Sequence, residues 1–314
     1  MREANKIYHA NWLENGLPDK SVQLIIADPP YFEVKGAFDF VWKSFDDYLK
    51  DLEKWAIECK RVLAENGTLF WYGHAKRIAY AQIIFDKHFN LINNLVWNKG
   101  SFMGLEESEG LRSFAPCTER VLMYENKNDC KSGFEPSYIR DYFQKYLMAE
   151  KQKAGITTKD INEICGYSEN TRNKIINTEK NWIFITEQSY CKLQKATGFF
   201  QKQYNELRME YEELRRPFNN IFNLQEVLNF SNESTKTGAK HDHDTTKPEK
   251  LTRALILTCS RPDDLVVAPF SGSGTEVAMA VKEGRRGIGF DIEAKYVKMG
   301  NIRVDNIKSQ PTLF

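Results

Sequence analysis

The segment Val22-Gln-Leu-Ile-Ile-Ala27 is almost continuously apolar and stops abruptly at Asp28-Pro29-Pro30. A run this short, without the polar alternation of a half-exposed strand, suits a strand covered on both faces, as in parallel sheets packed between helices. Runs of the same kind recur. Lys6–His9, Thr68–Tyr72, Leu91–Trp97 and Val121–Tyr124 read as further strands. Between them, Phe45–Leu63 places Leu49, Leu52, Trp55, Ala56, Cys59 and Leu63 at helical spacing and meets a stop signal at Asn66-Gly67, while Ala75–His88 reads as a second helix. Near the C-terminus the alternation resumes with helix Pro248–Cys259, strand Leu265–Ala268, helix Thr275–Glu283, strand Gly287–Phe290 and helix Glu293–Ile307. Strands alternating with helices predict a doubly wound α/β sheet with helices on both faces.

From Ser132 to about Phe218 the alternation disappears, and helical segments rich in Lys, Asn, Gln and Tyr take over. The chain as a whole carries 44 Lys and Arg against 43 Asp and Glu, yet residues 131–202 hold 12 of the former and 8 of the latter. Basic character is therefore local. The overall balance excludes a polybasic coat protein or an acidic tail. Within this block Thr157–Ile176 reads as helix, bend at Gly166, helix, and Tyr204–Arg216 as an amphipathic helix ended by Pro217. Phe230–Thr246 is polar and nearly free of aliphatics, as expected of a linker. One sheet interrupted by a helical insert accounts for the pattern, with boundaries at 1–130, 131–230 and 231–314.

A chain of 314 residues that is 41% hydrophobic can bury a substantial core. Its six cysteines form no C-x-x-C pair, which argues against a zinc knuckle or disulfide framework and for reduced thiols in a cytoplasm. The N-terminal segment lacks an apolar h-region, and no apolar run approaches the roughly 18 residues of a membrane span. A soluble, cytoplasmic protein without membrane partners is expected. His241-Asp-His-Asp244 reads as surface rather than as a metal site, and Trp12, Trp42, Trp55 and Trp71 as core.

Two constellations carry chemistry. Asp28-Pro29-Pro30-Tyr31 follows directly on the buried strand. Consecutive prolines fix φ and remove two N–H donors, so carbonyls leave the strand end in a stiff geometry. Asp28 adds an acceptor-only carboxylate and Tyr31 a flat aromatic face. Two acceptors and a stacking platform suit an exocyclic amine on a planar base; the plainer reading is a strand closed by a turn. The second constellation is Phe270-Ser271-Gly272-Ser273-Gly274-Thr275, between a strand and a helix. Its glycines allow a tight turn and close approach of a ligand, whose anionic end is expected to meet the N–H groups of the helix start. Asp291 stands 19 residues beyond Gly272 at the end of the next strand, where an acid grips ribose hydroxyls in dinucleotide-type sites.

DPPY followed 242 positions later by FSGSGT resembles the amino-group DNA methyltransferases that use S-adenosylmethionine, specifically the permuted β group, in which the catalytic motif precedes the cofactor motif. Lys6–Asn11, Trp97-Asn-Lys99, Thr246-Lys247-Pro248 and Gly284–Asp291 with Tyr296 match further segments of that pattern. The chain departs from it at Ala268 and Asn11, where the family usually or often has Asp. The resemblance implies a Rossmann-like, circularly permuted methyltransferase sheet whose inserted helical domain recognises the target. It implies catalytic roles for Asp28, Pro29, Pro30 and Tyr31, and cofactor contacts from Asn11, Asp28, Lys247, Pro248, Phe270, Ser271, Gly272, Ser273, Gly274, Thr275 and Asp291.

As partners it implies double-stranded DNA, a cognate restriction endonuclease and a second copy of the chain. The expected reaction is methylation of adenine N6 in a flipped-out base, since Asp opens the tetrapeptide where N4-cytosine enzymes more often carry Ser. N4-cytosine methylation and a catalytically silent DNA-binding regulator are the alternatives, and methylation of RNA or protein is disfavoured by the large insert. Base contacts are expected from Asn170, Arg172, Asn173 and Lys174, with Gly100–Phe114 as another DNA-contacting loop.

Overall fold

The computed structural model describes residues 2–33, 41–100, 112–114, 116–127, 133, 135–176, 182–231 and 247–309. The loop 101–111 and the segment 232–246, which contains His241–Asp244 and Thr246, lie outside the described residues. Eight strands, β1 (Lys6–His9), β2 (Val22–Ala27), β3 (Leu63–Gly73), β4 (Phe89–Asn98), β5 (Thr118–Asn126), β6 (Val227–Asn229), β7 (Leu265–Ala268) and β8 (Arg286–Asp291), form one sheet. Their order is β1-β8-β7-β2-β3-β5-β4-β6. Adjacent strands pair in parallel except at β5, which runs antiparallel to β3 and to β4. The α/β class is as the alternation predicts.

The side-chain period of two divides each central strand between two cores. Ile25 and Ala27 of β2 face a cluster with Leu52, Trp55, Ala56 and Cys59 of α1 (Phe45–Val62) and Ala81 and Phe85 of α2 (Ile78–Phe85). Leu24 and Ile26 face the opposite cluster, with Leu251 and Leu255 of one C-terminal helix, Val277 and Met279 of the next, and Val304 of the last. Trp12, Trp55 and Trp71 are buried and Trp42 packs against the same cluster, as expected.

The bounds of helices α1 and α2 differ from the sequence reading. Helix α1 stops at Val62, and Leu63 already pairs with Val22 as the first residue of β3. Burial of Leu63 on the ladder overrides the later Asn66-Gly67 signal, which falls inside the register shift before Leu24↔Thr68. A Cβ at Gly67 would lie 2.6 Å from Leu63 Cδ1, so the glycine serves the bulge rather than a helix end. Helix α2 is shorter than Ala75–His88 at both ends.

Residues 128–216 form a compact unit separate from that of 1–127 and 217–314. It contains α3 (Ser137–Lys153), α4 (Thr158–Cys165), α5 (Glu169–Ile176), α6 (Glu187–Thr197) and α7 (Tyr204–Leu214) around its own apolar cluster of Ile139, Phe143, Ile161, Leu193 and Leu207. Thr157 and Asp160 form a capping box on α4, and Gly166 (φ +73°) makes the left-handed bend into α5. The insert is shorter than 131–230. Residues 217–230 belong with the sheet, where β6 pairs with β4 and Trp97 Nε1 donates to the Phe230 carbonyl at 2.8 Å. Over the whole unit, 15 Lys and Arg face 13 Asp and Glu, because α7 contributes Glu206, Glu210, Glu212 and Glu213.

The chain closes with α8 (Glu249–Cys259), α9 (Thr275–Lys282) and α10 (Ala294–Lys308). Asn301 of α10 accepts from Ile7 N at 2.8 Å and donates to Ile7 O at 2.9 Å, tying the last helix to the first strand. Gly274, the N-cap of α9, lies at this junction with φ +76°, and a Cβ there would stand 2.8 Å from both Gly300 Cα and Ile7 Cδ1. Gly274→Ala is expected to lose about 1–3 kcal/mol of stability through strain and backbone displacement, measured by chemical denaturation.

Candidate active site

Strands β2 and β7 are parallel neighbours, with Leu24↔Val266 and Ile25↔Val267 in register, so Asp28 and Pro269 leave the sheet side by side. β1 and β8 end at the same edge, where His9 pairs with Asp291. The catalytic tetrapeptide, the glycine loop, Asn11 and Asp291 thus converge on the carboxyl ends of the strands, where open α/β sheets bind ligands.

Asp28 is held on both oxygens. Tyr31 donates its hydroxyl to Oδ1 at 2.5 Å, and Lys247 Nζ meets Oδ2 at 2.8 Å. The same ammonium lies 3.0 Å from Glu119 Oε2, and Lys99 Nζ lies 3.1 Å from Glu119 Oε1. Asp28 directly follows β2 and Glu119 is the second residue of β5, with β3 between them, so one lysine joins carboxylates carried by strands about 10 Å apart. It crosses β3 over the Tyr72 ring, whose centroid is 4.9 Å from Nζ. Lys247 side-chain exposure is 6% and that of Glu119 is 15%, so the pairs are largely desolvated.

Burial works against each charge, but the partners prevail. Despite desolvation, Asp28 and Glu119 raise the Lys247 ammonium above the usual lysine value. Burial would raise the Glu119 carboxyl, but Lys247 and Lys99 hold it at about 2. The Tyr31 phenol is pushed well up by burial and by Asp28, and stays protonated as a donor.

The glycine loop is braced from three directions. Gly272 N donates to Asp291 Oδ2 at 2.8 Å, Ser271 N donates to Phe290 O at 2.8 Å, and Arg303 donates to Thr275 Oγ1 at 2.8 Å. Gly272 and Gly274 both have positive φ, and Ser273 Oγ lies 3.1 Å from Thr275 Oγ1. The Ser271 and Tyr72 hydroxyls are buried with no hydrogen-bond partner among the described residues. Such buried orphan hydroxyls fit a polar ligand. Glu276 stands buried in the first turn of α9.

Other predicted residues have more structural surroundings. Asn11 caps the turn Trp12–Glu14, its Oδ1 accepting from Leu13 N at 3.0 Å, and Pro248 is the N-cap residue of α8. The Phe270 ring packs edge-on to Trp55 (4.9 Å) and Trp71 (6.0 Å). Ala268 is buried at the end of β7. Sequence reasoning overlooks Glu119, Tyr72, Glu276 and Arg303. An acid opening the otherwise apolar strand Val121–Tyr124 is the signal available for Glu119.

A DNA methylase is the class that this strand order and this site define. The DNA methylase family model N6_N4_Mtase matches residues 22–301, and the chain belongs to that family, whose members methylate exocyclic amino groups of adenine or cytosine. It is 27% identical to the type II methyltransferase M.HinfI of Haemophilus influenzae, over 94% of this chain and 66% of that protein. It is likewise 27% identical to the DNA adenine methyltransferase YhdJ of Escherichia coli K12, over 96% and 83% of the two chains. In fold it is similar to M1.HpyAVI in complex with S-adenosylmethionine (TM-score 0.52, 19% identity, 96% and 98% covered). The cytosine-N4-specific PvuII methyltransferase is similar in fold too (TM-score 0.54, 15% identity, 96% and 89% covered).

Removing the central cation tests the site. Because the Glu119 carboxyl is held low, its stabilising contribution is present above the unfolded carboxyl value and fades as pH falls toward 2. Lys247→Met leaves two partly buried carboxylates short of a partner and is expected to cost about 2–4 kcal/mol at pH 7. The deficit should shrink as pH drops toward 4, where a Glu119 carboxyl that has lost Lys247 takes up a proton. Thermal denaturation across that pH range reads the difference; a pH-independent deficit would mean that the ion pairs are not its source.

Proposed function

We propose that the chain methylates the N6 amine of an adenine flipped out of a specific double-stranded DNA sequence, with S-adenosylmethionine as its cofactor. The observation that carries the reading is Asp28, fixed at the end of β2 beside the strand that launches the glycine loop. When bound, the cofactor supplies a methyl group on a sulfonium, with a thioether as leaving group. The glycine turn, the Ser271 hydroxyl and Asp291 are the groups that would hold it.

An aromatic amine is a weak nucleophile because its lone pair is delocalised into the ring. Asp28 and the Pro29 carbonyl accept its two N–H bonds, which favours a pyramidal nitrogen with the lone pair free. Asp28 can do so although Tyr31 and Lys247 already bind it, since a carboxylate offers about four lone-pair sites. Lys247 fixes the carboxylate orientation, so the acceptor is set before the substrate arrives. Tyr31 offers its ring to the extruded base and offsets part of the unstacking cost of a few kcal/mol.

Adenine is favoured by Asp28 at the head of the tetrapeptide and by the similarity to YhdJ. A silent regulator would have no need of a pinned Asp28 beside an intact glycine loop. Target reading is assigned to the pair α4 and α5, where Asn170 and Lys174 are exposed on α5, with Arg172 and Asn173 beside them in sequence.

Two measurements test this. Modification-sensitive sequencing of DNA from a host expressing the protein should show N6-methyladenine in one short motif; N4-methylcytosine would transfer the same geometry to the other base, and unmodified DNA would overturn the reading. Asp28→Ala should lower methyl incorporation by about a thousandfold or more while cofactor binding persists. Separately, Asn170→Ala should relax the motif at one position, at about 1–3 kcal/mol in DNA discrimination.

A further inference from the structure

One buried acid stands outside the scheme above. Glu276 is 5% exposed, in the first turn of α9 immediately after the glycine loop. Its surroundings are charged yet give it no dedicated cation. Asp28 at the end of β2 repels it, and Lys247 ahead of α8 is committed to Asp28 and Glu119. Arg303 of α10 is committed to Glu249 at 2.6 Å and to Thr275 at 2.8 Å. Tyr72 of β3 faces it with a phenol that burial and Glu276 itself keep protonated, and that hydroxyl lacks a hydrogen-bond partner among the described residues. No Lys or Arg among the described residues comes within salt-bridge distance of Glu276.

A buried carboxyl beside a second carboxylate and without a cation holds its proton, and it ionises when a positive charge arrives. We propose that Glu276 is a positioning residue for the cofactor: it is the counter-charge for the cationic methionine end of S-adenosylmethionine and releases its proton to solvent as that end binds. The inference rests on the cofactor assignment made above. The feature that separates it from a merely structural acid is its place at the mouth of the glycine turn, next to Asp28, where the donor and acceptor groups of the reaction must meet. Burial first, and then Asp28, raises the Glu276 carboxyl to about 7, so the proton is present in the free protein below neutrality. With the ionised form favoured by the ligand, affinity must rise with pH up to about 7 and level off above it.

Calorimetric titration of the full chain with S-adenosylmethionine, in two buffers of different ionisation enthalpy, counts the protons. At pH 6 close to one proton should be released per cofactor, at pH 8 close to none, and the dissociation constant should tighten about tenfold between the two. 5′-Methylthioadenosine, which lacks both the sulfonium and the ammonium, should bind without proton release; S-adenosylhomocysteine, which keeps the ammonium, should release a proton in proportion to that group's share. Glu276→Gln should bind S-adenosylmethionine with a flat pH profile and no proton release. Equal proton release in Glu276→Gln, or with 5′-methylthioadenosine, overturns the proposal even if the variant is destabilised, since the second comparison uses the unaltered protein. Failure of S-adenosylmethionine to bind at any pH would instead overturn the cofactor assignment.

Discussion

A single buried ammonium holds the site together. Lys247 reaches Asp28 at 2.8 Å and Glu119 at 3.0 Å, two acids that belong to strands with a third strand between them. An ion removed from water is tolerable only when its partners replace the lost hydration, and here two carboxylates and the face of Tyr72 do so. The arrangement also brings together distant parts of the chain: the end of β2, the start of β5 and the segment that leads into α8. Asp28 is therefore not a side chain that must find its orientation on meeting substrate. The interior of the sheet edge has already fixed it.

That fixation depends on the strand order rather than on the chain order. β1, at one end of the sequence, is stitched to α10, near the other, by paired hydrogen bonds between Asn301 and Ile7, and Asn5 just before β1 accepts from Gly287 N of β8. β2 lies against β7 although 242 residues separate Asp28 from Phe270. A permuted connectivity moves the termini and leaves intact the one adjacency the chemistry needs. The helical unit 128–216 is inserted between β5 and β6 without breaking that adjacency, because both strands lie on the far side of β3 from β7.

Much of this is legible in the sequence, for identifiable reasons. Apolar runs such as Val22–Ala27 and Leu265–Ala268 appear with their exact bounds because burial on both faces leaves no room for polar residues. The bend at Gly166 shows because only glycine adopts its backbone cheaply. The start of β3 is hidden, since Asn66-Gly67 carries a local stop signal that the ladder absorbs as a bulge. β6 is hidden too: three residues on an edge, alternately exposed and buried, hold too little pattern to be seen. For the site, the motif residues are visible and their partners are not. Glu119 and Tyr72 look like ordinary strand residues until β5 folds back antiparallel beside β3 and brings them to Lys247.

The charge arrangement at the glycine loop also differs from what a strand–turn–helix pattern suggests. Such a turn ordinarily leaves helix N–H groups free for an anion. In this chain Gly272 N is taken by Asp291 and Gly274 N by Ser271 O. With those two donors satisfied internally, the acids Asp291 and Glu276 flank the loop, and Ala268 stands at the end of the preceding strand. Lys247 and Lys99 are already balanced by Asp28 and Glu119, which leaves Glu276 as the carboxyl whose charge depends on what else enters. On the function and the Glu276 role proposed above, a site built in this way favours positive charge beside the glycine turn and N–H donors beside Asp28, the two demands that amine methylation by a sulfonium makes of a protein.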